Sequence, residues 1–179
     1  MVRLSRPQNQ HIPLQNQRLI SVLFICMGNI CRSPTAEGVL RHQLNAAGLA
    51  GRVLIDSAGT HDYHVGAPPD ERSRHHASLR GYDLSALRAR HVSQADFEEF
   101  DMVLAMDWDN LAELQDECPP QYQHKLHRLM EFAEAAPSEV VADPYYGGQE
   151  GFEEVLDHVE AACAGLLKHI RAQLSERGD

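Results

Sequence analysis

The sequence is short of three things, and each shortage excludes something. Cysteine is scarce: the 179 residues hold four, Cys26, Cys31, Cys118 and Cys163. That is too few for a disulfide scaffold at this size, so the expected setting is a reducing, cytoplasmic one. Positive charge is short as well. Sixteen Lys and Arg against 26 Asp and Glu leave a net charge of −10. Such a chain repels nucleic acid and anionic membranes, and neither is expected as a main partner. An anionic substrate has to be met by a local positive field instead. Long apolar runs are missing too: no stretch reaches the roughly 20 residues that a membrane span requires, so no membrane insertion is expected. Residues 1–17 have no apolar segment and are rich in Gln, Asn and Pro. They read as a poorly ordered extension rather than a signal peptide, ahead of one domain over 18–179.

What remains is an ordinary globular composition, 43% hydrophobic, long enough for one sizeable core. Short apolar, β-branched runs recur: "LISVLFIC" ending at Cys26, "RVLIDSAG" over 52–59, "MVLAM" over 102–106 and "HKLHRLM" over 124–130. They have the character of strands buried on both faces. Helical segments lie between them, predicting a single-domain α/β fold with a four-stranded parallel sheet and helices on both faces, Rossmann-like. The first helix should run from Pro34 to about Ala47, capped by Ser33, with Pro34 in its first position and Gly48 closing it. The last should span about 150–176, with Phe152, Val155, Val159, Cys163, Leu166, Ile170 and Leu174 as its apolar face. Cys163 then reads as a buried small hydrophobe. Cys118, before Pro119-Pro120, has no assigned role. His75-His76 falls in a polar helix and is expected to be solvated.

The segment "VLFICMGNICRSPTAE" over 22–37 carries the chemistry. Structural zinc needs about four ligands, usually from two paired knuckles, and only one Cys pair is here, so no metal is expected. The other reading is a nucleophile. Cys26 ends a strand just before a helix begins, and in open α/β sheets ligands bind beyond the carboxyl ends of strands. The loop Met27, Gly28, Asn29, Ile30, Cys31, Arg32, Ser33 can turn backbone N–H groups into its own hollow, with Gly28 and Asn29 tolerating unusual φ. With the helix N-terminus behind it, the loop can cradle a tetrahedral dianion. The same donors stabilise a thiolate, and helix N-termini and cations lower the thiol pKa from about 8.5. Arg32 offers a planar fork to two phosphoryl oxygens, which lysine cannot. Ser33 can donate to the sulfur. A thiolate displacing an alkoxide or phenolate needs a general acid. Asp143, in "VVADPYYGG" after the fourth strand, is the candidate, although an Asp-Pro turn is also ordinary loop chemistry. Tyr145 and Tyr146 can wall a pocket against an aromatic ring. Tyr63 can form the opposite wall or serve as a half-buried loop tyrosine.

These residues resemble the low-molecular-weight protein tyrosine phosphatases. The likeness runs from Arg18 to the last helix through "VLFICMGNICRSPTAEG", "DSAGT", "VGAPPDERS", "FDMVLAMDWDNL" and "DPYYGG", in that order. The resemblance implies hydrolysis of phosphotyrosine proteins and aryl phosphates through a cysteinyl-phosphate, with no metal or organic cofactor. Cys26 would be the nucleophile, Arg32 the phosphate clamp and Asp143 the general acid and then base. Asn29, Ser33 and Ser57 match the residues that brace the loop, and Tyr63, Tyr145 and Tyr146 match the pocket rim. Cys31 matches a resolving thiol that captures oxidised Cys26 as a reversible disulfide; its bland alternative is a loop filler. One departure stands out: Leu87 occupies the place of a histidine that joins the loop network, so water or a neighbouring side chain is expected to support Asn29 instead. Related phosphoarginine phosphatases tend to carry Thr where Ile30 stands. Arsenate reductases of this fold need a further cysteine pair that Cys118 and Cys163 do not form. A non-catalytic phosphate sensor is the reading from another class. A monomer is the default oligomeric state.

Overall fold

The computed structural model describes residues 19–135 and 138–177. The extension expected over residues 1–17 lies outside them. Strand β1, Ile20–Cys26, is buried along its whole length at the centre of the sheet. Strands β2, Val53–Gly59, and β3, Met102–Ala105, flank it, and β4, Leu126–Arg128, pairs with β3. Among the described residues these form one parallel sheet of order β2-β1-β3-β4. The chain winds one way from β1 to β2 and the other way to β3. Its switch point is therefore the carboxyl end of β1, where Cys26 stands opposite Gly59.

Alternation along β1 divides the core. Ile20, Val22 and Phe24 pack under helices α1, Arg32–Ala46, and α5, Gln149–Glu176. Leu23 and Ile25 pack with Phe97 of α3, Gln94–Glu99, and Leu114 of α4, Trp108–Glu117. Helix α2, Glu71–Leu79, lies against α5. The seven apolar residues foreseen on α5 are all buried, Cys163 among them. Gly48, at φ +72°, ends α1 as expected, in the left-handed conformation that glycine adopts without strain.

Four expectations need correction. Helix α1 starts two residues early: Cys31 is its N-cap position, and Ser33 makes no cap because its hydroxyl is engaged by Cys26 and Asn29. Pro34 thus sits third in the helix, still within the first turn, where no N–H is needed. The fourth strand shrinks from 124–130 to three residues, framed by 3₁₀ turns at Pro120–Lys125 and Leu129–Phe132. Leu126 faces one half of the core and Leu129 and Met130 the other, so the chain crosses over by turning rather than by strand alternation. His76 is not solvated. It is 7% exposed, stacks on Phe152 with centroids 5.8 Å apart, and its Nδ1 meets Glu153 Oε1 at 2.6 Å; His75 is exposed. Finally, Gly28 does not need a positive φ. Among the described non-glycine residues only Asn29 has one, at 55°.

Candidate active site

The loop between β1 and α1 is held by its carbonyls. Cys26 O accepts from Thr60 N–H at 2.9 Å, Met27 O from His61 N–H at 3.0 Å, and Ile30 O from Asp70 N–H at 2.7 Å. Cys31 O accepts from the Thr35 hydroxyl at 2.7 Å. In a trans peptide the N–H points opposite to the preceding carbonyl. With these four carbonyls pinned outward, the N–H groups of Met27, Gly28, Cys31 and Arg32 face the hollow. The N-terminus of α1, with no acid in its first turn, adds its positive end. Gly59 makes the close seat possible: a Cβ there would lie 2.7 Å from Met27 O and 3.2 Å from Asn29 N. Gly28 gives room to a ring, since its Cβ would stand 3.0 Å from His64 Cδ2.

Cys26 Sγ lies 3.0 Å from Ser33 Oγ and accepts from Asn29 N–H at 3.3 Å. The Asn29 side chain is fully engaged without the missing histidine. Its Nδ2 donates to Ser33 Oγ at 2.8 Å and to Ser57 Oγ at 2.9 Å, and its Oδ1 accepts from Arg90 N–H at 3.0 Å. Leu87 is partly buried and packs against the apolar core, and the acceptor at the far end of Ser57 is Glu37, Oγ to Oε1 2.8 Å. The support expected from water or a side chain thus comes to Asn29 from a backbone group, the Arg90 N–H, while Glu37 joins the network only through Ser57.

Arg32 is 2% exposed. Its Nη1 donates to Asp107 Oδ2 at 2.6 Å and to the Val141 carbonyl at 3.0 Å, and its Nη2 lies 3.7 Å from Asp143 Oδ2. Burial works against its charge, yet Cys26, Asp107 and Asp143 together hold its pKa above the ordinary value. Asp143 is partly open, its side chain 42% exposed, and its Oδ1 accepts from Tyr145 N–H at 3.1 Å. The two loop cysteines differ. Burial pushes the Cys31 thiol up to about 12, with Asp70, Cys26 and Asp143 adding to the rise and a bond to Ser73 opposing it. Cys31 therefore stays protonated at neutral pH.

One pocket gathers Cys26, Met27, Gly28, Ile30, Cys31, Arg32, Tyr63, His64, Asp143, Tyr145 and Tyr146. Tyr63 is largely exposed and stacks on His61 at 5.2 Å. Tyr146 is 95% exposed and stands edge-on to Tyr145 at 4.9 Å. Asn29, Ser33 and Ser57 lie behind the loop. All of the site residues expected from sequence are thus near Cys26. Four partners were not foreseen. Asp107 orients Arg32, Glu37 ends the Ser57 chain, Arg90 orients Asn29, and His64 lines the wall beside Tyr145, 6.4 Å between rings. For Asp107 a signal existed: an acid directly after an apolar strand shares the edge on which Cys26 sits. For the others only the strand order reveals the meeting.

The arrangement can bind a tetrahedral anion over a sulfur, with a carboxyl group at the mouth and aromatic walls around it. The sequence model of the low molecular weight phosphotyrosine protein phosphatase family matches residues 21–176. A low molecular weight phosphotyrosine protein phosphatase of Schizosaccharomyces pombe is 44% identical over 152 residues, covering 84% of this chain and 97% of that protein. A low molecular weight protein-tyrosine-phosphatase of Streptomyces coelicolor is 42% identical over 159 residues, covering 87% and 96%. Among solved structures, a protein tyrosine phosphatase of Entamoeba histolytica superposes with a TM-score of 0.84 at 41% identity, covering 86% of this chain and 98% of that one. With nearly its whole described length matched in sequence and in fold, this chain belongs to the low molecular weight phosphotyrosine protein phosphatase family.

Proposed function

We propose that this protein hydrolyses phosphotyrosine in proteins, and small aryl phosphates, through a cysteinyl-phosphate intermediate. The observation that carries this is the meeting of Cys26 Sγ, the buried Arg32 guanidinium and the Asp143 carboxyl group in one pocket walled by Tyr63, Tyr145 and Tyr146. Cys26 attacks phosphorus as a thiolate. The phosphorus–oxygen bond to the tyrosyl group breaks, and Asp143 gives its proton to the leaving phenolate. Water then attacks phosphorus, Asp143 takes a proton from it, and inorganic phosphate leaves with the Cys26 thiolate restored. Arg32 and the loop N–H groups hold the equatorial oxygens as charge spreads onto them. No step calls for a metal or an organic cofactor.

The test is hydrolysis of p-nitrophenyl phosphate. Cys26→Ser should lose nearly all activity, and Asp143→Asn roughly two to four powers of ten. Full activity in Cys26→Ser would refute the mechanism. Ile30 and the tyrosine walls favour an aryl phosphate over phosphoarginine; dominant phosphoarginine turnover in a side-by-side assay would reverse that choice. A phosphate sensor of the same shape would bind phosphate and show no turnover at all.

A reversible disulfide is the second part of the proposal. Peroxide oxidises Cys26 to a sulfenic acid; Cys31 attacks that sulfur, water leaves, and a Cys26–Cys31 disulfide remains. A reducing cytoplasm would restore the thiols. Because Cys31 is held protonated, closure should quicken as pH rises. If Cys31→Ser recovers from peroxide as fully as the wild type after thiol treatment, this part fails.

A further inference from the structure

The hydrogen-bond chain behind Cys26 ends on a buried carboxylate. Glu37, on α1, is 4% exposed; its Oε1 accepts from Ser57 Oγ at 2.8 Å and its Oε2 from Arg41 Nη2 at 2.8 Å. The charged groups near it are Arg41 on its own helix and Asp56 on β2, which is itself bound by Arg90.

The direction of every bond in the chain follows from its ends. A backbone N–H can only donate, so the Asn29 atom that meets Arg90 N must be Oδ1. That fixes the amide, and Nδ2 gives one hydrogen to each serine. Both serine oxygens therefore accept from Asn29, and each has a single proton left to donate. With its oxygen facing the Asn29 amide, Ser57 gives its proton to Glu37 Oε1; burial raises the Glu37 pKa, and the bonds from Ser57 and Arg41 oppose that rise. The Ser33 proton has two acceptors in reach, Cys26 Sγ at 3.0 Å and the Ala58 carbonyl at 3.5 Å, and the sulfur is the nearer.

We propose that Glu37 is a positioning residue for Cys26: its carboxylate holds Ser57, and through Ser57 Asn29, in the one polarity that leaves the Ser33 hydroxyl proton for the sulfur. Glu37 touches neither the thiol nor the pocket. Without it the Ser57 proton has no fixed acceptor, the hydroxyl is free to rotate against the Asn29 amide and weaken that bond, and Ser33 is free to turn to Ala58. The inference rests on the reading of Cys26 as nucleophile.

The test follows alkylation of Cys26 by iodoacetamide against pH, assigned to its peptide by mass spectrometry, in the full chain. The variants are Glu37→Met, Glu37→Gln, Ser57→Ala and the Glu37→Met/Ser57→Ala pair. The midpoint should rise by about one pH unit in Glu37→Met and in Ser57→Ala, leaving about tenfold less thiolate below it. The pair should shift no further than either single change, and Glu37→Gln, which keeps an acceptor oxygen, should shift less. A wild-type midpoint in Glu37→Met beside a lowered Tm would confine Glu37 to packing and overturn the proposal, as would additive shifts in the pair. If Glu37→Met does not fold, unshifted midpoints in Glu37→Gln and Ser57→Ala overturn it. A wild-type chain that is not alkylated first at Cys26 would sink the nucleophile reading along with it.

Discussion

Asp107 does two jobs with one carboxylate. Oδ2 accepts from Arg32, and Oδ1 accepts from Asn110 N–H at 2.7 Å, capping α4. Asp107→Ala loses both, and it removes the nearest counter-charge of a buried guanidinium. We expect a loss of about 3 kcal/mol in urea unfolding. Asp107→Asn keeps a cap of equal quality, so it should recover about 1 kcal/mol of that. Both variants should bind inorganic phosphate at least tenfold more weakly by calorimetric titration, because Arg32 loses its anchor. Unchanged phosphate affinity in Asp107→Ala would show that Val141 and Asp143 suffice to orient the guanidinium. At this scale the sequence was most readable where the partners are close along the chain: Cys26, Arg32 and Ser33 lie within one loop, and their residue types announce an anion cradle. Asp107 stands 75 residues from Arg32, and nothing in local spacing joins them.

The first βα loop is the element on which the site depends, and it is pinned by the end of β2. Gly59→Ala would push a Cβ to 2.7 Å from the Met27 carbonyl, a backbone atom that cannot move without moving the cradle. A loss of about 2 kcal/mol and at least a tenfold fall in p-nitrophenyl phosphate turnover should follow. Gly28→Ala meets only the edge of the His64 ring, which can swing aside, so its effect on turnover should be within about threefold. Equal damage from the two changes would contradict the view that β2 supports the loop. The strands and the long helix α5 were legible because their apolar periods are strong and they are buried on one or both faces. The start of α1 was not. Ser-Pro is a fair helix-start signal, but Ser33 is drawn to the thiol by Asn29, a tertiary demand that local propensity does not contain. The short β4 escaped for a similar reason, since both halves of the core compete for its apolar residues.

At the scale of the molecule, strand order brings β1, β2, β3 and the segment after β4 to one carboxyl edge, and the site lies at the switch point this creates. Composition showed an acidic chain and the loop sequence pointed to N–H groups and Arg32 as its local positive field; what the fold adds is that this arginine is buried at that edge. Global stability should carry a mark of the buried thiol. In the unfolded chain Cys31 ionises near pH 9.0, whereas in the fold it stays protonated to about 12. Its contribution is therefore complete below about pH 9 and is lost as pH rises from there towards 12. Between pH 8 and 10, Cys31→Ser should lose about 1.4 kcal/mol less unfolding free energy than the wild type. Equal losses would show that Cys31 ionises in the fold as it does out of it. The most direct measurement is made during turnover. Protein mixed rapidly with p-nitrophenyl phosphate, quenched within a turnover and digested should carry phosphate on the Cys26 peptide, while Cys26→Ser carries none and turns over nothing. Phosphate on another residue, or turnover that persists in Cys26→Ser, would contradict the cysteinyl-phosphate route.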